Sequence, residues 1–360
     1  MSSTLQIGLA VAGGVVLAAV VAHGAWTSRR NAPRQAEPET SDSKPANTGF
    51  QQEPTLDGAH PPGEGAERQD PGFDDGFAGM NIPTPERRAG LDPLIDVIAS
   101  ISLEAEVSGD AALAALPSTR RVGSKPFAVE GLNSATQVWE PPQAGQRYDA
   151  LQAGVQLANR TGALNEIEYS EYVMKATAFC DAVGGAPEFP EMREEVARGR
   201  ELDQFANDHD AQLGFTLRAM RTAWSPGYVQ QHAARLGFVP GLIPGRMVLP
   251  ASVAGQPAVL GLAFDSQAAL AEDPDQSAIR EISLSLDVPQ VARTEQPFAR
   301  MREVATTLAQ AMDGMVTDDD GRPLQAEVMD QIGADLEKLY DTLDARELSA
   351  GSALARRLFS

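Results

Sequence analysis

The chain has 360 residues, with 50 acidic and 29 basic side chains and a formal charge of −21. A field of that sign opposes binding to nucleic acid or to anionic lipid through diffuse surface charge. The single cysteine, Cys180, excludes an intrachain disulfide and a zinc site built on several thiolates, which fits a reducing compartment, and the four histidines, His23, His60, His209 and His232, show no metal-ligand spacing.

The first predicted element is a membrane span. Leu5 to Trp26 carries no formally charged residue. It is long enough, because a helix rising about 1.5 Å per residue needs roughly 20 apolar residues to cross a bilayer. Gly8, Gly13 and Gly14 would weaken a soluble helix but are common in spans. A secretory signal would open on basic residues and carry a shorter apolar core before a small-residue cleavage site. Here "MSSTLQ" has no basic side chain and His23 interrupts "VVAHGA". Residues 1–30 are therefore expected to remain as an anchor. Arg29, Arg30 and Arg34 all follow the span, so the positive-inside rule places the N-terminus outside and the body of the chain in the cytoplasm.

Residues 31–90 are rich in Pro, Glu, Gln, Gly and Ser and almost free of large aliphatic side chains. Such a stretch cannot bury enough apolar surface to offset its ordering entropy, so a disordered linker is expected. As a coil it would average about 40–45 Å end to end.

Alternating sequence resumes near Leu91. In "LDPLIDVIASISLEAE", Ala99, Ile101 and Leu103 oppose Ser100, Ser102 and Glu104. In "ALQAGVQLANR", Leu151, Ala153, Val155 and Leu157 oppose Gln152, Gly154 and Gln156. In "REISLSLDVPQ", Ile282, Leu284, Leu286 and Val288 oppose Ser283, Ser285 and Asp287. A polar face on each strand predicts antiparallel sheets with helices on one side and an open second side. An amphipathic helix follows each of the last two strands. One carries Tyr169, Tyr172, Ala176, Phe179, Cys180 and Val183 on a stripe, the other Phe298, Met301, Ala305, Leu308, Ala309 and Met312.

These two stripes match at a constant offset of 129, as Tyr172 to Met301 illustrates, and Gly185 and Gly314 follow at the same offset. "SGDAALAALP" similarly resembles "SPGYVQQHAARLGF", where Ser225 is a good N-cap, Pro226 a good first helical residue and Gly237 a good stop. The fold class expected is α+β of split βαβ type, in two tandem related units over 91–210 and 211–345, with residues 346–360 as a tail. The first unit departs from the second at "GGAPEFPE", which replaces the short strand and turn "GMVTDDDGRP".

Sites of chemistry are not evident. Aspartates 318–320 before Gly321 lack the alternating ligands and distant Glu of a calcium loop, and Asp-Gly is a tight-turn signal. The carboxylates of "EIEYSEY" open a helix, where they suit its N-terminal dipole, and Asn165 is a natural cap there. Cys180 lies on an apolar stripe and reads as core. Nothing marks His232 as a base, and neither a phosphate-binding loop nor a nucleophile elbow occurs. No enzyme, metal or cofactor is expected.

The second unit does resemble a known family. "AQLGFTLRA", "SPGYVQQHAARLGFVPG", "GRMVLP", "PAVLGLAFDS", "EISLSLDVP", "PFARMREVATTLAQAMDGMVTDDDGRPL" and "DLEKLYDTL" follow in the order of the C-terminal domain of ZipA, the bacterial cell-division protein. The layout of anchor, Pro-rich linker and C-terminal domain is also similar, most of all to the longer betaproteobacterial form. The resemblance implies an inner-membrane protein of the division septum that ties the tubulin-like GTPase FtsZ to the membrane, with the FtsZ C-terminal tail in an apolar groove on the open sheet face. Carried over, groove positions fall on Gln212, Ile243, Asp265 and Ser285, with Ser283 beside them. Only Ile243 keeps an apolar side chain. The basic position near the final turn falls at Gly321, with Arg322 adjacent. A membrane-tethered scaffold for another division or envelope protein is the alternative that the same layout allows.

Overall fold

Alternation sets the first sheet. The computed structural model describes residues 33–36, 90–273, 276–318 and 320–360. The expected span at Leu5–Trp26 and most of the linker lie outside them. Among the described residues, no helix is long and apolar enough to cross a membrane.

The first unit runs β1 (Asp96–Leu103), β2 (Val107–Ser108), α1 (Gly109–Ala115), β3 (Arg121–Val122), β4 (Lys125–Asn133), β5 (Trp139–Glu140) and β6 (Arg147–Gln156). The short ladder of β7 (Ala158–Asn159) and β8 (Gly162–Ala163) follows, then α2 (Glu166–Val183), β9 (Gly185–Glu188) and α3 (Met192–His209). The second unit runs β10 (Gln212–Ala219), α4 (Pro226–Ala234), β11 (Val239–Pro240), β12 (Arg246–Leu249), β13 (Leu260–Ala263), α5 (Ser266–Ala269), β14 (Glu281–Asp287), α6 (Pro297–Met312), β15 (Gly314–Thr317) and α7 (Ala326–Ala345). A last helix, α8, spans Ala353–Leu358.

Both sheets are antiparallel, in the orders β3-β4-β6-β1-β9 and β11-β12-β13-β14-β10-β15. In each, the first long strand lies between the strand that precedes the amphipathic helix and the strand that follows it. The inward residues are those expected: Ala99, Ile101, Leu151, Ala153 and Val155 in the first sheet, Ile282, Leu284 and Leu286 in the second. Tyr172 packs on the first sheet and donates its hydroxyl to the Ala153 carbonyl at 2.9 Å. Met301, Ala305, Leu308 and Met312 are buried on α6. Asn165 caps α2 in a full capping box with Glu168, and Ser225 caps α4 with Pro226 in its first turn.

Three features correct the expectations. First, "GAPE" forms β9 where no strand was expected. Its Pro187 is tolerated because β9 is an edge strand, paired only with β1. Second, residues 346–360 are built into the core. Leu358 and Phe359 are fully buried, Gln290 Nε2 donates to Phe359 O at 2.7 Å, and Arg357 Nη2 reaches the buried carboxylate of Asp96 at 2.5 Å. The chain thus returns from the second unit to close over the first.

Third, part of the linker is docked. Arg34 pairs in parallel with Trp224: its N–H donates to Ala223 O at 2.7 Å and its carbonyl accepts from Ser225 N–H at 2.8 Å. Its guanidinium meets Asp313 at 3.1 Å. Low hydrophobicity does not prevent this, since the bonds are made by backbone groups that Trp224 and its neighbours would otherwise leave unpaired. Trp224 is fully buried, pairs with Ile279 on its other edge, and donates its indole N–H to Met312 O at 2.8 Å.

The two units share one continuous hydrophobic core cluster. At its rim Arg160, from the β7–β8 turn, grips Asp210 and Asp287 in a fork on each side, with four contacts of 2.6–2.8 Å. These two carboxylates raise the Arg160 pKa.

Candidate partner-binding face

The open face of the second sheet follows from the same alternation that builds its core. Gln212, Gly214, Thr216 and Arg218 project from β10, and Glu281, Ser283, Ser285 and Asp287 from β14. Register makes rows across the strands. Gly214, Ser285 and Gly261 form one row, and Thr216, Ser283 and Ala263 the next. The floor is therefore a shelf of small residues. It is so closely laid that a Cβ on Gly261 would sit 2.6 Å from Ser285 Oγ.

Polar groups close both ends. Gln212 faces Asp287 across the strands, beside the Arg160 clamp. At the other end Arg218 stands opposite Glu281, with Nε 3.1 Å from its carboxylate. The Arg218 guanidinium also lies against the 318–322 turn, where a Cβ on Gly321 would come within 2.5 Å of Nη1. Gly321 takes a φ of +78°, and the turn is closed by Asp318, whose Oδ1 accepts the Arg322 N–H at 2.7 Å. Asp318, Asp320 and Gly321 thus lie in a turn, and no group of acidic or ligating residues able to hold a metal occurs among the described residues.

The expected site residues separate into two groups. Gln212, Ser283 and Ser285 share the shelf. Ile243 sits in the β11–β12 connection, more than half exposed beside a fully exposed Leu242, and its carbonyl accepts the Arg246 N–H at 3.1 Å. Asp265 caps α5, taking the Gln267 N–H at 2.8 Å, so its carboxylate has a local structural role. Arg322 is exposed in the turn and pairs loosely with Asp320 at 3.5 Å. Sequence comparison position by position missed Arg218, which reaches from the neighbouring strand to the place where Gly321 stands. The alternation of "QLGFTLRA" puts Arg218 on the open face but does not show its reach to Gly321.

Residues 270–335 match the family described as ZipA, C-terminal FtsZ-binding domain. Over that stretch the chain is similar to ZipA. The matched stretch runs through β14, α6 and β15 into α7, so Ser283, Ser285 and Arg322 lie within it, and Gln212, Ile243 and Asp265 outside. No curated protein matches the chain. Among solved structures, berberine bridge enzyme from Eschscholzia californica shares 11% identity over 73% of this chain. The alignment spans about half of that enzyme, 53%, with a TM-score of 0.15. Ser283 and Ser285 bring the matched stretch onto the shelf, whose other residues come from β10 and β13.

Proposed function

We propose that this ZipA-like protein binds the C-terminal tail of FtsZ on the open face of the second sheet and holds FtsZ filaments at the inner membrane of the division septum, stabilising the ring. The anchor in this reading is the span at Leu5–Trp26, with the folded part in the cytoplasm. The single observation that supports tail binding is the match of residues 270–335 to an FtsZ-binding domain. An extended peptide fits the shelf chemically. Its glycines allow close backbone approach, and the β11–β12 connection of the same sheet adds the exposed apolar side chains of Leu242 and Ile243.

The likeness of the two sheet orders, together with the offset of 129 between the amphipathic stripes, supports reading the chain as two tandem units of common plan. Only the second falls in the matched stretch, so the tail is assigned to it.

The test is co-sedimentation of the full chain in nanodiscs with FtsZ filaments, using FtsZ with and without its C-terminal tail. Retention that depends on the tail supports the proposal. Equal retention of both forms, or of neither, sinks it.

A further inference from the structure

A groove of about 1050 Å³ runs between α6 and α7. Its walls follow from helical spacing. On α6, Phe298, Arg302 and Thr306 recur at every fourth position, and on α7, Met329, Gly333, Leu336 and Tyr340 recur at every third or fourth. Phe298 meets Phe215, an inward residue of β10, edge to face at 6.2 Å, so the groove lies on the side of the sheet opposite the shelf. Gly333 keeps it open: a Cβ there would make only an ordinary contact with the Phe298 ring, at 3.4 Å. The lining spans ten residue steps on α6, Pro297 to Thr307, and eleven on α7, Met329 to Tyr340. At about 1.5 Å per step that is roughly 16 Å, or about three helical turns. Thr306 and Met329 also border a second hollow of about 400 Å³, edged by Met220, Met315 and Leu324, so the apolar surface continues past the groove.

Two observations indicate what fits. Tyr340 lines the groove and is 3% exposed, yet its hydroxyl has no hydrogen-bond partner. Burial pushes its pKa up to about 12, so it keeps its proton. A buried hydroxyl in that state calls for a partner. The second observation is charge. Arg302 is held by Asp330, and Arg293, 5.5 Å from the centre of the Tyr340 ring, is held by Glu337, Asp341 and Asp344. Glu303, exposed on the α6 wall, has no ion-pair partner among the described residues. Two guanidinium groups thus face five carboxylates, and the charge left over at the rim is negative. It complements a basic partner.

Backbone chemistry selects the form of that partner. The walls are helices, whose N–H and C=O groups are bonded along their own axes. An extended peptide between them would bury backbone groups with nothing to pair with, whereas a helix satisfies its own. We propose that the α6–α7 groove receives a basic amphipathic helix of a partner protein. Its apolar stripe lies on Phe298, Met329 and Leu336, a hydroxyl or amide within the stripe meets Tyr340, and its Lys or Arg flank meets Glu303. This goes beyond the FtsZ reading and does not depend on it, since the two faces are opposite.

The test is an anisotropy titration of the full chain in nanodiscs with a labelled model peptide. The peptide is about 15 residues long, enough to form a helix, with a Leu stripe, one Gln in the middle of it, and Lys flanks. At physiological salt, where charges are screened beyond about 8 Å, it should bind at least about tenfold more tightly than the same peptide with Glu for Lys. Tyr340→Phe removes a hydroxyl that is unpaired in the free protein. The thermal midpoint should therefore stay or rise while peptide affinity falls about tenfold, the loss of one hydrogen bond. A purely structural role for Tyr340 would move both together. Gly333→Leu should fill the groove and abolish binding without lowering the thermal midpoint, because glycine is the poorer helix former. If that variant is destabilised, Tyr340→Phe alone decides. No binding by the parent, equal binding of the two peptides, or unchanged affinity in a stably folded variant overturns the proposal. Self-association of the parent that Gly333→Leu removes also overturns it and assigns the groove to a second copy.

Discussion

Removing the Arg357 guanidinium should destabilise the first unit strongly at neutral pH and much less in acid. Asp96 is in β1 with its side chain fully buried, while Arg357 is 23% exposed and lies on the helix that follows the second unit. Each carboxylate oxygen takes one donor, Arg357 Nη2 at 2.5 Å and the Asp92 N–H at 2.9 Å. Even so, the Asp96 pKa is raised, because burial outweighs the attraction of Arg357. With charge centres about 4 Å apart and an effective dielectric constant near 20, that attraction is worth about 4 kcal/mol. Arg357→Ala should therefore cost about 3–5 kcal/mol at pH 7, the usual cost of stranding a buried charge. The pH dependence has a definite sign. A carboxyl raised in the folded state keeps its proton longer there than in the unfolded chain, whose aspartate titrates near pH 4. Stability from this group is thus full below about pH 4 and falls as pH rises through the folded value. The variant, lacking the attraction that lowers Asp96, should lose stability over a wider window and recover most of it near pH 4. Urea unfolding from pH 4 to 8 measures this, with Asp96→Asn/Arg357→Ala as the neutral reference. A deficit under 1 kcal/mol at pH 7, or one that is constant with pH, would refute the reasoning.

Other outcomes are expected. Ser285→Phe should lay a ring over Gly214 and Gly261 and tighten FtsZ-tail peptide binding about tenfold if roughly 60 Å² more apolar surface is buried; unchanged titration would remove the tail from this face. Arg160→Ala should strand Asp210 and Asp287 together at the junction of the units and lower the thermal midpoint of the full chain by several degrees, or about 2 kcal/mol. Cys180 is buried and its thiol pKa is pushed up to about 11, so a maleimide should label it only on unfolding. A C-terminal fluorescent fusion should be bright and a C-terminal alkaline phosphatase fusion inactive in cells; the opposite pair would reverse the topology.

The parts of the fold that were legible are those fixed by periodicity. Alternation over "SLSLD" and "ALQAGVQ" and the helical stripes through Tyr172 and Met301 predicted both which residues are buried and which faces stay open. β9 was not legible because proline in a strand reads as a break, and only topology reveals that Pro187 lies on an edge. The role of residues 346–360 was hidden because "ALARRLF" is too short to announce burial. Its place is fixed by the burial of Leu358 and Phe359 and by the contact of Arg357 with Asp96, more than two hundred residues away. The shelf itself was visible as serine and glycine on one side of β10 and β14. The Arg218 contribution was not, since a long side chain can fill a position that the aligned backbone of another strand leaves empty.

The Arg34 docking changes where mechanical load would travel. A force applied through residues ahead of Pro33 enters the folded body at Trp224, through two backbone hydrogen bonds and one ion pair. Residues 37–89 then carry no tension, because both of their ends are fastened to the same body. With Arg34 in place, the body rides a few residues from whatever holds the N-terminal segment. Once that contact shears, the load passes along the chain and reaches the body at Gly90 instead. Arg34 therefore sets the point of entry, at Trp224 until one short bridge fails and at Gly90 thereafter.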